Sequence, residues 1–153
     1  MKALRVLLAD DDIDDCNLFK EVLDGIGSKL PINFTTVSDG VQLMQLLENK
    51  KRLPHILFLD LNMPRKNGFD CLEEIQRNEK YKPVAIIIFS TSFNPDIVNM
   101  LYQNGAHFYI QKPSRVTDLK KAIQKALALT IERKFIRPSR DKFVVNTPAH
   151  SAM

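Results

Sequence analysis

The segment HILFLDLNMP, residues His55 to Pro64, sets an unbroken apolar run, Ile56-Leu57-Phe58-Leu59, directly before a single carboxylate, Asp60. A run apolar at every position predicts a strand buried on both faces, as in a parallel sheet covered by helices. Open α/β sheets bind their ligands at the carboxyl edge of the strands, so Asp60 is expected at that edge. A carboxylate there is a nucleophile, a metal ligand or a helix cap, and the rest of the chain has to choose among these.

The same pattern repeats on both sides of this strand. Upstream, Arg5 to Ala9 predicts a strand that runs into Asp10-Asp11-Asp12. Ile13 to Leu23 then carries apolar residues at helical spacing, with Gly25 and Gly27 as its stop. Ile32 to Val37 predicts a second strand with β-branched weight. Ser38-Asp39-Gly40 is a turn and cap, followed by an amphipathic helix from Val41 that ends in the polar stretch Glu48 to Arg52.

Downstream of Asp60, Asn67-Gly68 opens a helix with Phe69, Cys71, Leu72 and Ile75 at core spacing, and Arg77 to Lys82 is a polar connection. Val84 to Phe89 is the most strand-like run in the chain and stops at Ser90-Thr91-Ser92. Asn94-Pro95 starts a helix that ends at Asn104-Gly105, His107 to Gln111 is a short fifth strand, and Ser114 is expected to cap a last helix over Val116 to Glu132. Strand and helix alternate five times, which predicts an α/β domain with a doubly wound, five-stranded parallel sheet and helices on both faces. Residues beyond Arg137, with Pro138 and Pro148 and no periodic pattern, are expected to form a flexible tail.

Composition narrows the function classes. The longest apolar run, Val84 to Phe89, is far short of the roughly 20 residues of a membrane span. The N-terminus lacks a small-residue cleavage site and meets acidic residues early, so no signal peptide is expected. Cys16 and Cys71 fall in predicted helices, which points to reduced thiols in a cytoplasmic protein, and no Cys/His spacing supports zinc. The net charge of +4 sits mostly at the C-terminal end, where five basic residues from Ile131 onward face two acids, leaving 17 against 16 for residues 1–130. A solvated basic tail accounts for this better than a nucleic-acid contact, for which no aromatic-basic interleaving or helix-turn-helix signature is present.

All strands of a parallel sheet present their carboxyl ends at one edge. Asp10 and Asp11, Asp60, Ser90 and Lys112 therefore converge there, although they lie far apart in sequence. Carboxylates about 4 Å apart at an effective dielectric near 20 repel by about 4 kcal/mol per pair, so the cluster needs raised pKa values or a hard divalent cation, Mg2+ first. With a cation present, one carboxylate can act as nucleophile toward a phosphoryl group whose oxygens are met by Lys112 and Ser90. Asp12, Asp14 and Asp15 are expected only to favour the N-terminus of the following helix.

LLADDD (Leu7 to Asp12), LDLNMPRKNG (Leu59 to Gly68), FSTS (Phe89 to Ser92) and GAHFYIQKP (Gly105 to Pro113) resemble the receiver domain of two-component response regulators. The spacings agree too, with 30 residues from Asp60 to Ser90 and 22 from Ser90 to Lys112. The resemblance covers residues 3–132 and is to stand-alone receivers. It implies a flavodoxin-like sheet of order 2-1-3-4-5 and a signalling switch that catalyses only its own phosphorylation and dephosphorylation. Asp60 is then the phospho-acceptor, facing a sensor histidine kinase or phosphotransfer protein. Mg2+ is held by the side chains of Asp11 and Asp60, by Asp10 through water and by the backbone carbonyl of Asn62. Lys112 pairs with a phosphoryl oxygen, Ser90 turns inward to it, and Tyr109 is the aromatic switch; the Lys112-Pro113 bond is typically cis in that family, and the sequence leaves its isomer open. The output is protein–protein contact with an unidentified partner or a second copy of the chain, with no membrane and no nucleic acid involved. Residues 133–153 have no counterpart in a minimal receiver and either extend the last helix into a dimer contact or are flexible. Aspartate-nucleophile phosphohydrolases fit less well, because the acid pair here precedes the nucleophile and no cap domain follows.

Overall fold

Strand formation follows the apolar runs closely. The computed structural model describes residues 3–26, 30–49 and 51–146. Five strands, β1 (Leu4–Ala9), β2 (Ile32–Val37), β3 (Ile56–Leu59), β4 (Ala85–Ser90) and β5 (Phe108–Gln111), alternate with five helices. These are α1 (Ile13–Ile26), α2 (Gly40–Asn49), α3 (Gly68–Gln76), α4 (Pro95–Gln103) and α5 (Val116–Glu132). The strands form one parallel sheet in the order β2-β1-β3-β4-β5, the expected flavodoxin-like order. Every residue of β3 and β4 is buried, as their lack of alternation requires.

The register aligns the strands one step short of the functional edge. Val37, Ala9, Leu59, Ile88 and Tyr109 form one row across the sheet. Backbone bonds carry the pairing one residue further: the Asp10 amide donates to the Val37 carbonyl at 3.0 Å and the Asp60 amide to the Ala9 carbonyl at 2.9 Å. Asp10 and Asp60 thus leave the sheet side by side.

Each face of the sheet has its own core. Leu7, Leu57, Leu59, Ile86 and Ile88 meet α2, α3 and α4 through Leu43, Leu47, Leu72 and Leu101. On the other face, Phe58, Ile87 and Phe89 meet α1 and α5 through Phe19, Leu23, Ile123 and Leu127. Phe19 centres an aromatic group there, with ring centroids 4.6 Å from Phe58 and 5.6 Å from both Phe34 and Phe89. Cys16 and Cys71 are free thiols in α1 and α3.

Several local expectations are corrected. Helix α1 runs through Gly25 to Ile26, because Ile26 packs against the core and open space surrounds Gly25; Gly27 lies outside the described residues. Arg115, not Ser114, precedes α5, and no side chain caps that end. The connection after α3 contains a 3-10 turn, Glu79–Tyr81, that Asn78 caps and that buries Tyr81. The Lys112-Pro113 bond, which the sequence left open, is trans, since no described peptide bond is cis.

Residues 133–146 are not a flexible tail. Helix α5 ends at Glu132, and the chain then turns through Lys134 and Phe135, both with positive φ. It returns along β5 as a strap with Phe143 and Val145 buried. The apolar Phe143-Val144-Val145 run gives the physical reason, and Val144 forms a parallel bridge with Tyr109. Residues 147–153 lie outside the described part.

Two histidines stitch the amino edge of the sheet. His55 Nδ1 accepts from the Arg5 amide at 2.9 Å, and His107 Nδ1 accepts from the Ile86 amide at 3.2 Å. With Nδ1 accepting, His107 Nε2 carries the proton and donates to the Phe135 carbonyl at 3.2 Å. Burial lowers the His107 pKa to about 4, with the Phe135 carbonyl opposing and Arg137 assisting. A histidine that resists protonation in the fold contributes stability above its unfolded pKa, and that stability is lost as pH falls toward 4. His107→Asn keeps an acceptor for the Ile86 amide and removes the titration. Between pH 7 and pH 5 the wild-type chain should lose about 2 kcal/mol more unfolding free energy than this variant, measured by urea denaturation.

Candidate functional site

The carboxyl edge gathers the groups that the topology directs there. Asp10 and Asp60 are buried while Asp11 is exposed, and one oxygen from each of the three lies within 4.8 Å of the others. Asp60 is held on both sides. Its Oδ1 accepts from the Asn62 amide at 3.3 Å, and its Oδ2 lies 3.8 Å from Lys112 Nζ.

The loop after β3 folds back over Asp60. The Gly68 amide donates to the Leu61 carbonyl at 3.0 Å. A Cβ on Gly68 would lie 2.2 Å from the Asp60 carbonyl oxygen, so only glycine permits this approach. Asn67 caps α3 by accepting from the Asp70 amide at 2.9 Å.

Lys112 ties the acids together. Its ammonium donates to Asp10 Oδ2 and to Asp15 Oδ2, each at 2.8 Å, and sits 4.6 Å from the centroid of the Phe89 ring. Asp15, expected only to favour the N-terminus of α1, is therefore also an ion-pair partner at the site. It lies in the first turn of α1, within reach of the residue that follows β5, and only the fold shows this. Asp12 keeps the expected capping role, accepting from the Asp14 and Asp15 amides at 2.9 and 3.3 Å.

Burial dominates the electrostatics. It raises the Asp60 carboxyl to about 7, against the pull of Lys112 and with help from Asp10. Asp10 is also raised, by burial first, with Lys112 opposing. Lys112 is held strongly protonated, its hydrogen bonds to Asp10 and Asp15 outweighing its own desolvation. One ammonium does not neutralise this many carboxylates. Three hard oxygen donors at this spacing fit a divalent cation, which reverses the pressure toward protonation.

Ser90 and Tyr109 complete the edge. Ser90 is fully buried at the end of β4, its hydroxyl 3.1 Å from that of Ser92. Tyr109 is 1% exposed, and its hydroxyl donates to the Ser92 carbonyl. The aromatic ring therefore already points inward. Asn62 lies at the rim with its side chain in solvent.

Comparison with known proteins gives this edge a lineage. The family model of the response regulator receiver domain matches residues 6–124. The chain belongs to this family. It is 33% identical over 125 residues to response regulator Rcp1 of Synechocystis sp., covering 78% of this chain and 83% of that protein. It is 28% identical over 121 residues to a probable chemotaxis protein CheY of Rhizobium etli, covering 79% and 90%. Among solved structures, the receiver resembles the phosphorylated cyanobacterial phytochrome response regulator RcpA, with TM-score 0.79, 27% identity, and coverage of 90% of this chain and 100% of that one. It also resembles the Mn(2+)-bound form of Rcp1, with TM-score 0.76, 28% identity, and coverage of 88% and 99%. As a receiver, the chain is a phosphorylation-dependent component of two-component signalling. No helix among the described residues is long and apolar enough to cross a membrane.

Removing Lys112 leaves the acids without their bridge. Lys112→Ala should lose about 3–5 kcal/mol of unfolding free energy in the absence of divalent cations. Added divalent cation should stabilise this variant more than the wild-type receiver, as read by chemical denaturation with and without metal.

Proposed function

We propose that Asp60 accepts a phosphoryl group from a phosphohistidine on a sensor histidine kinase or phosphotransfer protein. The observation that carries this reading is the meeting of Asp10, Asp11 and Asp60 oxygens within 4.8 Å, with Lys112 bridging from β5. An Asp60 carboxylate oxygen attacks phosphorus, the new P–O bond forms as the P–N bond breaks, and the imidazole, protonated on its other nitrogen, leaves neutral. Later attack by water on the phosphorus returns the Asp60 carboxylate and inorganic phosphate. The receiver catalyses only these two steps on itself.

Each neighbouring residue has a role in that transfer. Asp11 and Asp60 side chains, Asp10 through water, and the Asn62 backbone carbonyl would hold Mg2+; the Mn(2+)-bound form of Rcp1 supports a divalent ion. Bound there, the ion would supply positive charge to the phosphoryl oxygens. Lys112 moves from its carboxylate partners to a phosphoryl oxygen, a short shift given its 3.8 Å separation from Asp60. The Ser90 hydroxyl leaves Ser92 and donates to another phosphoryl oxygen, and Tyr109 holds the β4–α4 loop in the matching position.

The site is built for one phosphoryl group on a protein side chain, and the output is protein–protein contact. Residues 3–132 form the receiver, and residues 133–146 are its strap. The free thiols of Cys16 and Cys71 fit a cytoplasmic setting.

Acetyl phosphate with Mg2+ should place an acid-stable, hydroxylamine-sensitive label on Asp60, located by mass spectrometry. Asp60→Asn should abolish the label, and Ser90→Ala should slow its appearance by about tenfold or more. An equal label on the Asp60→Asn protein would exclude this acceptor.

A further inference from the structure

The strap makes its closest contacts with the part of β5 that leads into the site. The Tyr109 amide donates to the Phe143 carbonyl at 2.9 Å, and the Val145 amide donates to the Tyr109 carbonyl at 2.9 Å. One register step on, the Asn146 side chain takes the place of a peptide unit. Its Oδ1 accepts from the Gln111 amide at 3.0 Å and its Nδ2 donates to the Gln111 carbonyl at 2.7 Å. The residue after Gln111 is Lys112, whose amide donates to the Ser90 carbonyl at 2.7 Å.

Side chains continue the same fastening. Phe143 is fully buried, its ring centroid 6.2 Å from Tyr109 and 5.2 Å from Tyr102. Phe93 closes the other side of Tyr109 at 5.8 Å. Below this group, the Arg137 guanidinium lies 4.2 Å from the Tyr102 ring centroid, Arg137 Nε donates to the Ala106 carbonyl at 3.2 Å, and the Tyr102 hydroxyl donates to the Pro138 carbonyl at 2.8 Å. The root of the strap is therefore anchored on α4 and the start of β5, and its end on Tyr109 and Gln111.

We propose that Phe143 and Asn146 are positioning residues of the phosphorylation switch, holding Tyr109 inward and fixing the end of β5 that carries Lys112. The inference rests on Asp60 being the phospho-acceptor. An unbroken series of contacts joins the strap to the site: Phe143 to the Tyr109 ring, the Tyr109 hydroxyl to the Ser92 carbonyl, and the Ser92 hydroxyl to that of Ser90. An outward swing of Tyr109 takes the ring away from Phe143 and opens a void in the core, so the docked strap and the inward ring select each other. A phosphoryl group on Asp60 draws in Ser90 and Lys112, the neighbours of the groups that the strap fastens. Both events favour one arrangement of β5 and the loop after β4, so they are positively and reciprocally coupled.

Arg140 and Lys142 are exposed on the strap and report its docking as trypsin sites. With Mg2+ and beryllofluoride, cleavage after these two residues should slow by about fivefold or more relative to Mg2+ alone, and Asp60→Asn should show no slowing. Phe143→Ala and Asn146→Ala should lose this protection and take up label from acetyl phosphate several-fold more slowly, while Phe143→Leu, which keeps the core filled, should retain both. Asn146→Ala removes a partly exposed side chain and serves as the test if Phe143→Ala does not fold. A labelled Asp60 with strap cleavage unchanged or faster overturns the coupling and leaves the acceptor standing. No label on Asp60 overturns both.

Discussion

One buried ammonium decides how the carboxyl edge of this sheet is arranged. Lys112 reaches Asp10 and Asp15 at 2.8 Å and Asp60 at 3.8 Å, spanning β5, α1 and the loops after β1 and β3. Those acids repel one another by about 4 kcal/mol per pair at contact distance, and a single cation offsets only part of that. The residual imbalance is what makes the pocket receptive to a second, mobile charge. The apolar Phe89 ring beneath the ammonium keeps water from screening the cluster on that side.

The fold makes this arrangement possible by rigidity. Asp60 extends a strand with no exposed residue, its amide is bonded to β1, and Gly68 lets the following loop close against its carbonyl. Aromatic rings around Phe19 back one face of the strand, and branched aliphatic side chains back the other. The groups expected to move, Ser90 and Tyr109, lie instead on β4 and β5, beside the loop that carries Phe93.

Much of this was legible in the residues. Unbroken apolar runs marked β3 and β4, because burial on both faces leaves no polar alternation, and the Asn67-Gly68 turn and the Asn94 cap marked helix starts. The convergence of Asp10, Asp11, Asp60 and Lys112 followed from parallel topology alone. What escaped depended on three-dimensional approach. Asp15 has a favourable local reason to sit in the first turn of α1, which hid its long-range partner 97 residues away. His55 and His107 carry no sequence mark of their bonds to neighbouring strand amides. The strap was hidden by its basic residues and Pro138, although Phe143-Val144-Val145 was a run of three apolar residues within it.

The bridge between Val144 and Tyr109 also bears on how copies of this protein coexist at high concentration. An open sheet edge offers unpaired amides and carbonyls to any passing strand, and this is a route to aggregation. Here the chain covers its own β5 edge, with backbone at Tyr109 and with the Asn146 amide at Gln111. The uncovered outer strand among the described residues is β2, where Asn33, Thr35 and Thr36 break up the apolar surface. The C-terminal segment thus removes the more apolar of the two edges as a template for unwanted pairing.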